Sequence, residues 1–542
     1  MSGYDLINLI APEITLLIGG CAVLLLGLVR AARERFLTGW VALFAVLAAL
    51  FAAWNMAIPS DRTALGMRVG DLVWYVRIIA LGVGAAVLLV HWHLPRPDER
   101  GEMFSMILFS LAGVLITALA DDLVLLFMAL ELVSVPTYVL VSIGRSDVRA
   151  QEAGVKYFFL GVMSSALMVY GFSFLYGASG TTVLSTMTLS PEGAYATLGL
   201  VLAFAGLAFK IAAVPLHVYA ADVYQGAASP VTGLLGFFPK LAGFIAIIKL
   251  LWIVQPAGAV TSGWNLPTAA FVFLWIVAAA TMTVGNVLGL MQTNVKRMLA
   301  YSSIAHSGYM LVGVLVGPVT GGAALRDGVS AALFYIVVYG LMNLGAFAVL
   351  AIISSNGRPA EDLDDLAGLA RRQPVAALAM ALCVFSLMGL PPTAGFIGKV
   401  FIFSSALSVG TEHAFSTALI VLAIIGLLNS AIAAAYYLRI VGACYVREPR
   451  GQIGIVPDAF GAQVGLLLCC AGVLVLGLWP RGLITMARQP FHDRQMTVVV
   501  QNTEASADDS NVATEDAGAP AYSASPWSHS AQPQSANSER GM

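Results

Sequence analysis

Charge is scarce in this chain. Of its 542 residues only 11% are Asp, Glu, Lys or Arg, while 59% are hydrophobic. Mean hydropathy is +0.85. A water-soluble domain needs far more polar surface, so the composition excludes that class and leaves a polytopic membrane protein. The formal net charge is −2 and no basic patch is present, which excludes nucleic-acid binding. Cysteine is limited to Cys21, Cys383, Cys444, Cys469 and Cys470. These show no CxxC spacing and no Cys/His cluster, which predicts no disulfide framework, iron–sulfur cluster or zinc site. There is no P-loop, and no GxGxxG followed by a suitable acidic residue. His91 and His93 flank Trp92 at a helix end, an ordinary interfacial pattern rather than a haem-binding pair. The first apolar run has no basic stretch before it and is long enough to span a bilayer. It reads as a retained helix, not a cleaved signal peptide.

What the chain does have is long apolar runs. Runs of about 18 or more residues predict an all-α fold of fourteen membrane helices. They cover roughly 9–30, 36–56, 72–94, 103–120, 122–143, 152–177, 194–224, 229–253, 267–290, 298–316, 325–354, 373–408, 414–446 and 459–479. Loops after odd-numbered helices carry fourteen basic residues, among them Arg30, Arg145, Arg149, Lys296, Arg297, Arg371, Arg372 and Arg447. Loops after even-numbered helices carry three: Arg62, Arg68 and Arg326. The positive-inside rule then places both termini on the outer side. Helix 7 is interrupted at Pro215 and helix 12 at Pro391 and Pro392. Each is the fourth helix of its half, which predicts two inverted five-helix repeats, helices 4–8 (103–253) and 9–13 (267–446). Residues 1–489 form the membrane domain. From about Thr497 the composition turns to Ser, Ala, Asn, Gln and Asp, and 490–542 reads as a polar, disordered tail.

Within the runs, ionisable residues stand out because each costs roughly 2.5–3.5 kcal/mol to insert on translocon scales. Only six lysines occur, against 22 arginines. Lys210, Lys240 and Lys399 lie deep in apolar sequence. Arginine cannot lose its proton, whereas a buried lysine can, so this division points to proton movement. Glu131 is equally deep and is a partner for one of these lysines. Asp121 and Asp122, upstream of it, read as interfacial residues at a helix N-terminus. His306 sits among hydroxyls in AYSSIAHSGYML, beside Tyr301, Ser302, Ser303, Ser307 and Tyr309, and histidine is a side chain able to relay a proton. His217, Asp222, Tyr301 and Lys249 are accessory candidates; Lys249 is near a helix end, where a lysine snorkels to the interface. Gly395 and Gly398 beside Lys399 allow close approach of water or another backbone. The breaks at Pro215, Pro391 and Pro392 free carbonyls that protein or water must satisfy.

KIAAVPLHVYAADVYQGAASPV, starting at Lys210, resembles the signature of the antiporter-like membrane subunits of respiratory complex I, KxAxxPxHxWxPDxYxGAPTPV. It departs in Tyr219 for Trp, Ala221 for Pro and AASP for APTP. The resemblance extends over about residues 10–480: Glu131, Lys210, Lys240, SSIAHSGY and GLPPTAGFIGK. Within the family the pattern is most similar to the subunit N branch of NADH-quinone oxidoreductase, including IAPEITLLIGG near the N-terminus. Lys399 stands where the middle paralogue has glutamate, and no long lateral helix follows the last span. The resemblance implies a proton pathway through Glu131, Lys210, Lys240, His306 and Lys399 in a bacterial plasma membrane. It implies no redox cofactor and no metal in this chain. NADH and quinone would be used elsewhere in the complex, with other membrane-arm subunits and lipid as partners. A sodium/proton antiporter subunit and a non-titrating scaffold are the alternatives. A solute transporter would need a midplane pocket suited to its substrate, and the groups here are mainly proton-competent.

Overall fold

The computed structural model describes residues 7–490 except 30–31, 57–61, 93–97, 146, 190–192, 255–262, 319–325, 356–357, 411–413, 450–452 and 456–458. The tail expected over 490–542 lies outside the described residues from 491 onward. Apolar sequence without internal partners for its backbone folds as helix, because in lipid every N–H and C=O must be satisfied within the chain. The helices are α1 Ala11–Leu28, α2 Ala32–Asn55, α3 Asp71–His91, α4 Arg100–Leu119, α5 Leu123–Ile143 and α6 Val148–Ser179. There follow α7 Ala194–Lys210, α8 Ala220–Gly226, α9 Ser229–Leu235, α10 Phe238–Trp252, α11 Thr268–Leu290, α12 Val295–Val316 and α13 Gly328–Ile352. The last are α14 Leu369–Arg372, α15 Pro374–Met388, α16 Ala394–Leu407, α17 Ser416–Tyr445 and α18 Phe460–Leu478. Among the described residues twelve helices are long and apolar enough to cross a membrane, and α7, α15 and α16 are shorter apolar helices. The protein is a multi-pass membrane protein.

Two stretches leave helical geometry in mid-run. After Lys210 the chain turns through 211–219, with Ala212 at φ 54° and a cis Val214–Pro215 bond. After Met388 it turns through 389–393, with a cis Pro391–Pro392 bond. A third interruption, at Gly236 and Phe237 between α9 and α10, falls where one continuous helix was expected over 229–253. Pro239, in the first turn of α10, cannot donate a helical hydrogen bond back to Leu235, so the sequence did mark this joint. The connections are not all irregular either. Arg62–Ala64 (β1) pairs with Met67–Val69 (β2), and Ile353–Ser355 (β3) pairs with both Arg358–Pro359 (β4) and Ile453–Ile455 (β5).

The helices form a bundle whose centre is α9 with α10, α12 and α13. About 94% of the apolar window of each of these three spans is buried. α1, α2, α6, α17 and α18 lie outside and keep large exposed hydrophobics such as Phe44, Phe51, Phe159, Leu428 and Leu467. That surface fits lipid or other apolar protein rather than water. The innermost helices are also the ones that carry Lys240 and His306, so the polar residues sit at the greatest depth.

Candidate functional site

Glu131 and Lys210 form a buried ion pair. α5 begins at Asp122, whose carboxylate accepts from Val124 N (2.7 Å) and Leu125 N (3.2 Å). This cap satisfies two N–H groups of the first turn, and further along α5 Glu131 meets Ser165 of α6 and Lys210 of α7. Lys210 is the last residue of α7. Its Nζ donates to Glu131 Oε1 at 2.9 Å and to Ser134 Oγ at 2.7 Å, with Ser165 Oγ at 3.5 Å. Ser165 also donates to Glu131 Oε1 at 2.5 Å. The lysine side chain is 3% exposed and the glutamate 22%. The difference arises because Glu131 lines a shallow outward-facing crevice walled by Phe127, Val162, Val169 and Tyr170.

The break after Lys210 is closed by side chains from the far half of the chain. Ile211 O accepts from Ser307 Oγ of α12 at 2.5 Å, and Val214 N donates to Thr281 Oγ1 of α11 at 3.0 Å. Tyr219 Oη donates to Phe209 O at 2.8 Å. The carbonyls freed by leaving the helix are therefore satisfied by protein. His217 lies in this break, half-buried, with Nδ1 among the buried atoms that lack a hydrogen-bond partner in the described residues.

Lys240, on α10, donates to Ser303 O and lies over the ring of Tyr339 at 4.8 Å. His306, on α12, is 1% exposed. Its Nδ1 is 2.8 Å from Tyr335 Oη and its Nε2 2.9 Å from Tyr437 Oη. Tyr437 also bonds Ser302 Oγ. The rings of Tyr309 and Tyr339 lie 5.5 Å and 5.2 Å from the imidazole. Lys399, on α16, donates to Met388 O (2.9 Å), at the C-terminus of α15, and to Ser430 Oγ of α17 (2.8 Å). A cation is favoured there by the negative end of the helix. Its Nζ lies 5.1 Å from the centre of the Tyr309 ring. Gly395 is required by close approach: a Cβ on it would be 1.9 Å from Ser386 O. At Gly398 the Cβ would lie 2.2 Å from the Tyr335 ring.

The five principal candidates thus lie along the buried interior in two groups. Glu131 and Lys210 are in direct contact. Lys240, His306 and Lys399 are joined through the tyrosines. The accessory candidates lie elsewhere. Asp222 is paired with Arg297 (2.7 Å) and Lys156 (3.0 Å), with 40% of its side chain exposed. Lys249 does not reach outward; its Nζ donates to Ala118 O and to Ala120 O (2.5 Å), at the end of α4. Tyr301 is half-buried on the same helix as His306.

Several polar residues at these sites had no place in the sequence reading. Ser134, Ser165, Tyr335, Tyr339, Ser430 and Tyr437 carry no signal in a single sequence, since Ser and Tyr are ordinary in membrane helices. Arg77 and Glu13 did carry one, each being a charge inside an apolar run. Arg77 Nε and Nη2 donate to the two Glu13 oxygens at 2.8 Å each, joining α3 to α1, and both residues are buried. Lys296, counted above among loop cations, is 1% exposed and donates to Gln225 O, Ala227 O and Glu361.

Titratable side chains placed in series through the centre of an apolar helical bundle, two of them at helix breaks, define a class: polytopic membrane proteins with a buried ionic axis. The family described as NADH:quinone oxidoreductase/Mrp antiporter, transmembrane, matches residues 120–426. The chain belongs to this family. It is 38% identical over 493 residues to NADH-quinone oxidoreductase subunit N of Trichlorobacter lovleyi, covering 89% of this chain and 96% of that one. It is 39% identical over 491 residues to subunit N of Laribacter hongkongensis, covering 88% and 95%. A chain in respiratory complex I from Thermus thermophilus superposes with a TM-score of 0.72 at 30% identity, covering 88% of this chain and all of that one.

Proposed function

We propose that this chain is the subunit N-type, proton-translocating component in the membrane arm of an NADH-quinone oxidoreductase. The observation that carries the reading is the buried Lys210–Glu131 pair. A releasable cation and its counter-charge are held at a helix break, in a chain 38% identical to a subunit N. Glu131 stabilises the charged form of Lys210 while the two are in contact. Weakening the contact lowers the affinity of Lys210 for its proton, by tenfold for each 1.4 kcal/mol. The proton then moves past Lys240 and His306 to Lys399 and leaves on the outer side. NADH and quinone react on other subunits, and this chain holds no redox cofactor and no metal. The scattered cysteines and the lack of paired-histidine spacing support that part.

The same reading places the protein in a bacterial plasma membrane, in contact with lipid and with other membrane-arm subunits. It has fourteen crossings, counting α7 with α8 and α15 with α16 as broken spans. Both termini are outside, and helices 4–8 and 9–13 form inverted repeats.

Lys210→Arg and Lys210→Met in the assembled complex, with NADH-driven proton uptake measured in vesicles, test it. Arginine keeps the charge but does not release its proton. Both variants should lose pumping alike while assembly persists. Normal pumping by both would remove Lys210 from the pathway and leave the scaffold reading. The family description also names Mrp antiporters, so a sodium/proton antiporter subunit is the second reading. Co-purification with cation-antiporter subunits, and sodium-dependent proton flux without NADH, would favour it.

A further inference from the structure

Asn286 is an amide in the apolar run of α11, and it is buried. An amide in such a place often does no more than join helices. Asn429 of α17 does that. Its Nδ2 donates to Ile425 O at 3.0 Å and to Thr283 Oγ1 at 3.3 Å, and its Oδ1 accepts from Asn286 at 3.3 Å. Asn286 reaches further. Its Nδ2 donates to Met282 O at 2.9 Å and to Tyr309 Oη at 3.0 Å, and its Oδ1 accepts from Tyr436 Oη at 3.0 Å. Both tyrosines are buried. For the Tyr309 hydroxyl, Asn286 is the one hydrogen-bond partner among the described residues. The contact fastens the far end of that side chain and so fixes which way its ring faces.

The face of the Tyr309 ring lies over Lys399, with Nζ 5.1 Å from the ring centre. Lys399 differs from Lys210 in having no carboxylate partner among the described residues. An ammonium has three hydrogens to place. Two oxygens accept from this one, Met388 O at 2.9 Å and Ser430 Oγ at 2.8 Å. The π face of Tyr309 adds an attraction for the cation that depends on the ring being turned toward it. We propose that Asn286 is a positioning residue for Lys399. It grips Tyr309 Oη and holds that ring's face toward an ammonium that has no counter-charge. This rests on the proton-translocating reading above. Among the described residues Asn286 bonds neither Lys399 nor His306, so its effect on either passes through a tyrosine.

Ring motion tests this directly. The full chain, labelled with ring-¹³C tyrosine and reconstituted in lipid, should show Tyr309 as a ring that does not flip, its signal identified by its loss in Tyr309→Phe. Asn286→Leu should set the ring flipping, and an unchanged ring would overturn the proposal. Asn429→Leu is the control, since Asn429 belongs to the same knot and bonds no tyrosine. It should leave the ring held. Equal freeing of the ring by both variants would make Asn286 a joint between helices and nothing more. In the assembled complex, Asn286→Leu should lower NADH-driven pumping severalfold, with NADH oxidation by an artificial acceptor unchanged. Tyr309→Phe keeps the ring and drops only its anchor, so it should lower pumping too, even where Asn286→Leu fails to assemble. The double variant should pump no less than Asn286→Leu alone, because both changes break one bond. Multiplied losses in the double variant, or undiminished pumping by Tyr309→Phe beside failure of Lys210→Arg, would overturn the positioning role and leave the proposed function standing. Normal pumping by Lys210→Arg and Lys210→Met would overturn that function instead.

Discussion

A lysine in an apolar bundle is useful for transport only if its proton can leave, and its immediate partners decide how readily. Lys210 has one charged partner, Glu131, one close neutral partner, Ser134 at 2.7 Å, and a longer contact to Ser165 at 3.5 Å. Ser134→Ala removes the close neutral partner and should cut pumping severalfold, whereas Ser134→Thr keeps the hydroxyl and should stay near wild type. Equal pumping by the two variants would take Ser134 out of the mechanism. Glu131→Ala and Lys210→Met should be non-additive when combined, with a coupling of about 0.5–3 kcal/mol, because the two groups touch. The ionisable members of the site were legible in sequence as isolated charges in apolar runs. Their partners were not: Tyr437 meets His306 across 131 residues, and no spacing rule links them. The Glu13–Arg77 pair was legible but unread. Glu13→Ala or Arg77→Ala should each lower stability by about 3–5 kcal/mol, the cost of leaving one buried charge alone. Thermal unfolding in detergent would check this. Tm values close to wild type for both single variants would mean the remaining charge finds water.

Among the elements, the broken spans matter most. Proline marks both, so their places were legible; what holds them open was not. Nothing in KIAAVPLHV says that Thr281 and Ser307, from the far half of the chain, supply the missing bonds. Thr281→Val leaves Val214 N–H without its acceptor and should cost about 1–3 kcal/mol. Thr281→Ser should restore most of it, and equal unfolding temperatures for the two would refute the assignment. Gly395→Ala puts a methyl against the carbonyl of Ser386, which is backbone and cannot swing away. The α15–α16 break should then shift, and with it Lys399, so pumping falls even where the complex assembles. The joint at Gly236 and Phe237 was also marked, by Pro239 in the first turn of α10, and was not read. The short strand pairs were hidden for a different reason. They depend on tertiary packing, and segments of two or three residues leave no periodic pattern to read.

For the whole molecule, composition alone decided the class, because 59% hydrophobic residues cannot be covered by 11% charged ones. Arginine asymmetry then gave a topology, to which Lys296 contributes less than it seemed to, being buried against carbonyls and Glu361. The topology predicts which exposed positions face which compartment. Leu65, between β1 and β2, and Val446, just past α17, are 80% and 79% exposed. A cysteine at 65 should react with an impermeant maleimide from outside intact cells, and a cysteine at 446 only after the membrane is opened. The reverse pattern would invert the orientation, and labelling of both from outside would mean the count of crossings is wrong.

The tyrosine rings beside His306 have one more consequence. Lys240 and the imidazole both lie against the ring of Tyr339, and Lys399 and the imidazole both lie against the ring of Tyr309. A membrane that stores a voltage must not leak between turnovers, and a ring packed against both groups keeps water from joining them until the ring moves aside. Trimming one of these rings to alanine should therefore show itself first in idle vesicles. A pH gradient imposed without any NADH would run down faster through Tyr339→Ala or Tyr309→Ala than through the unmodified protein.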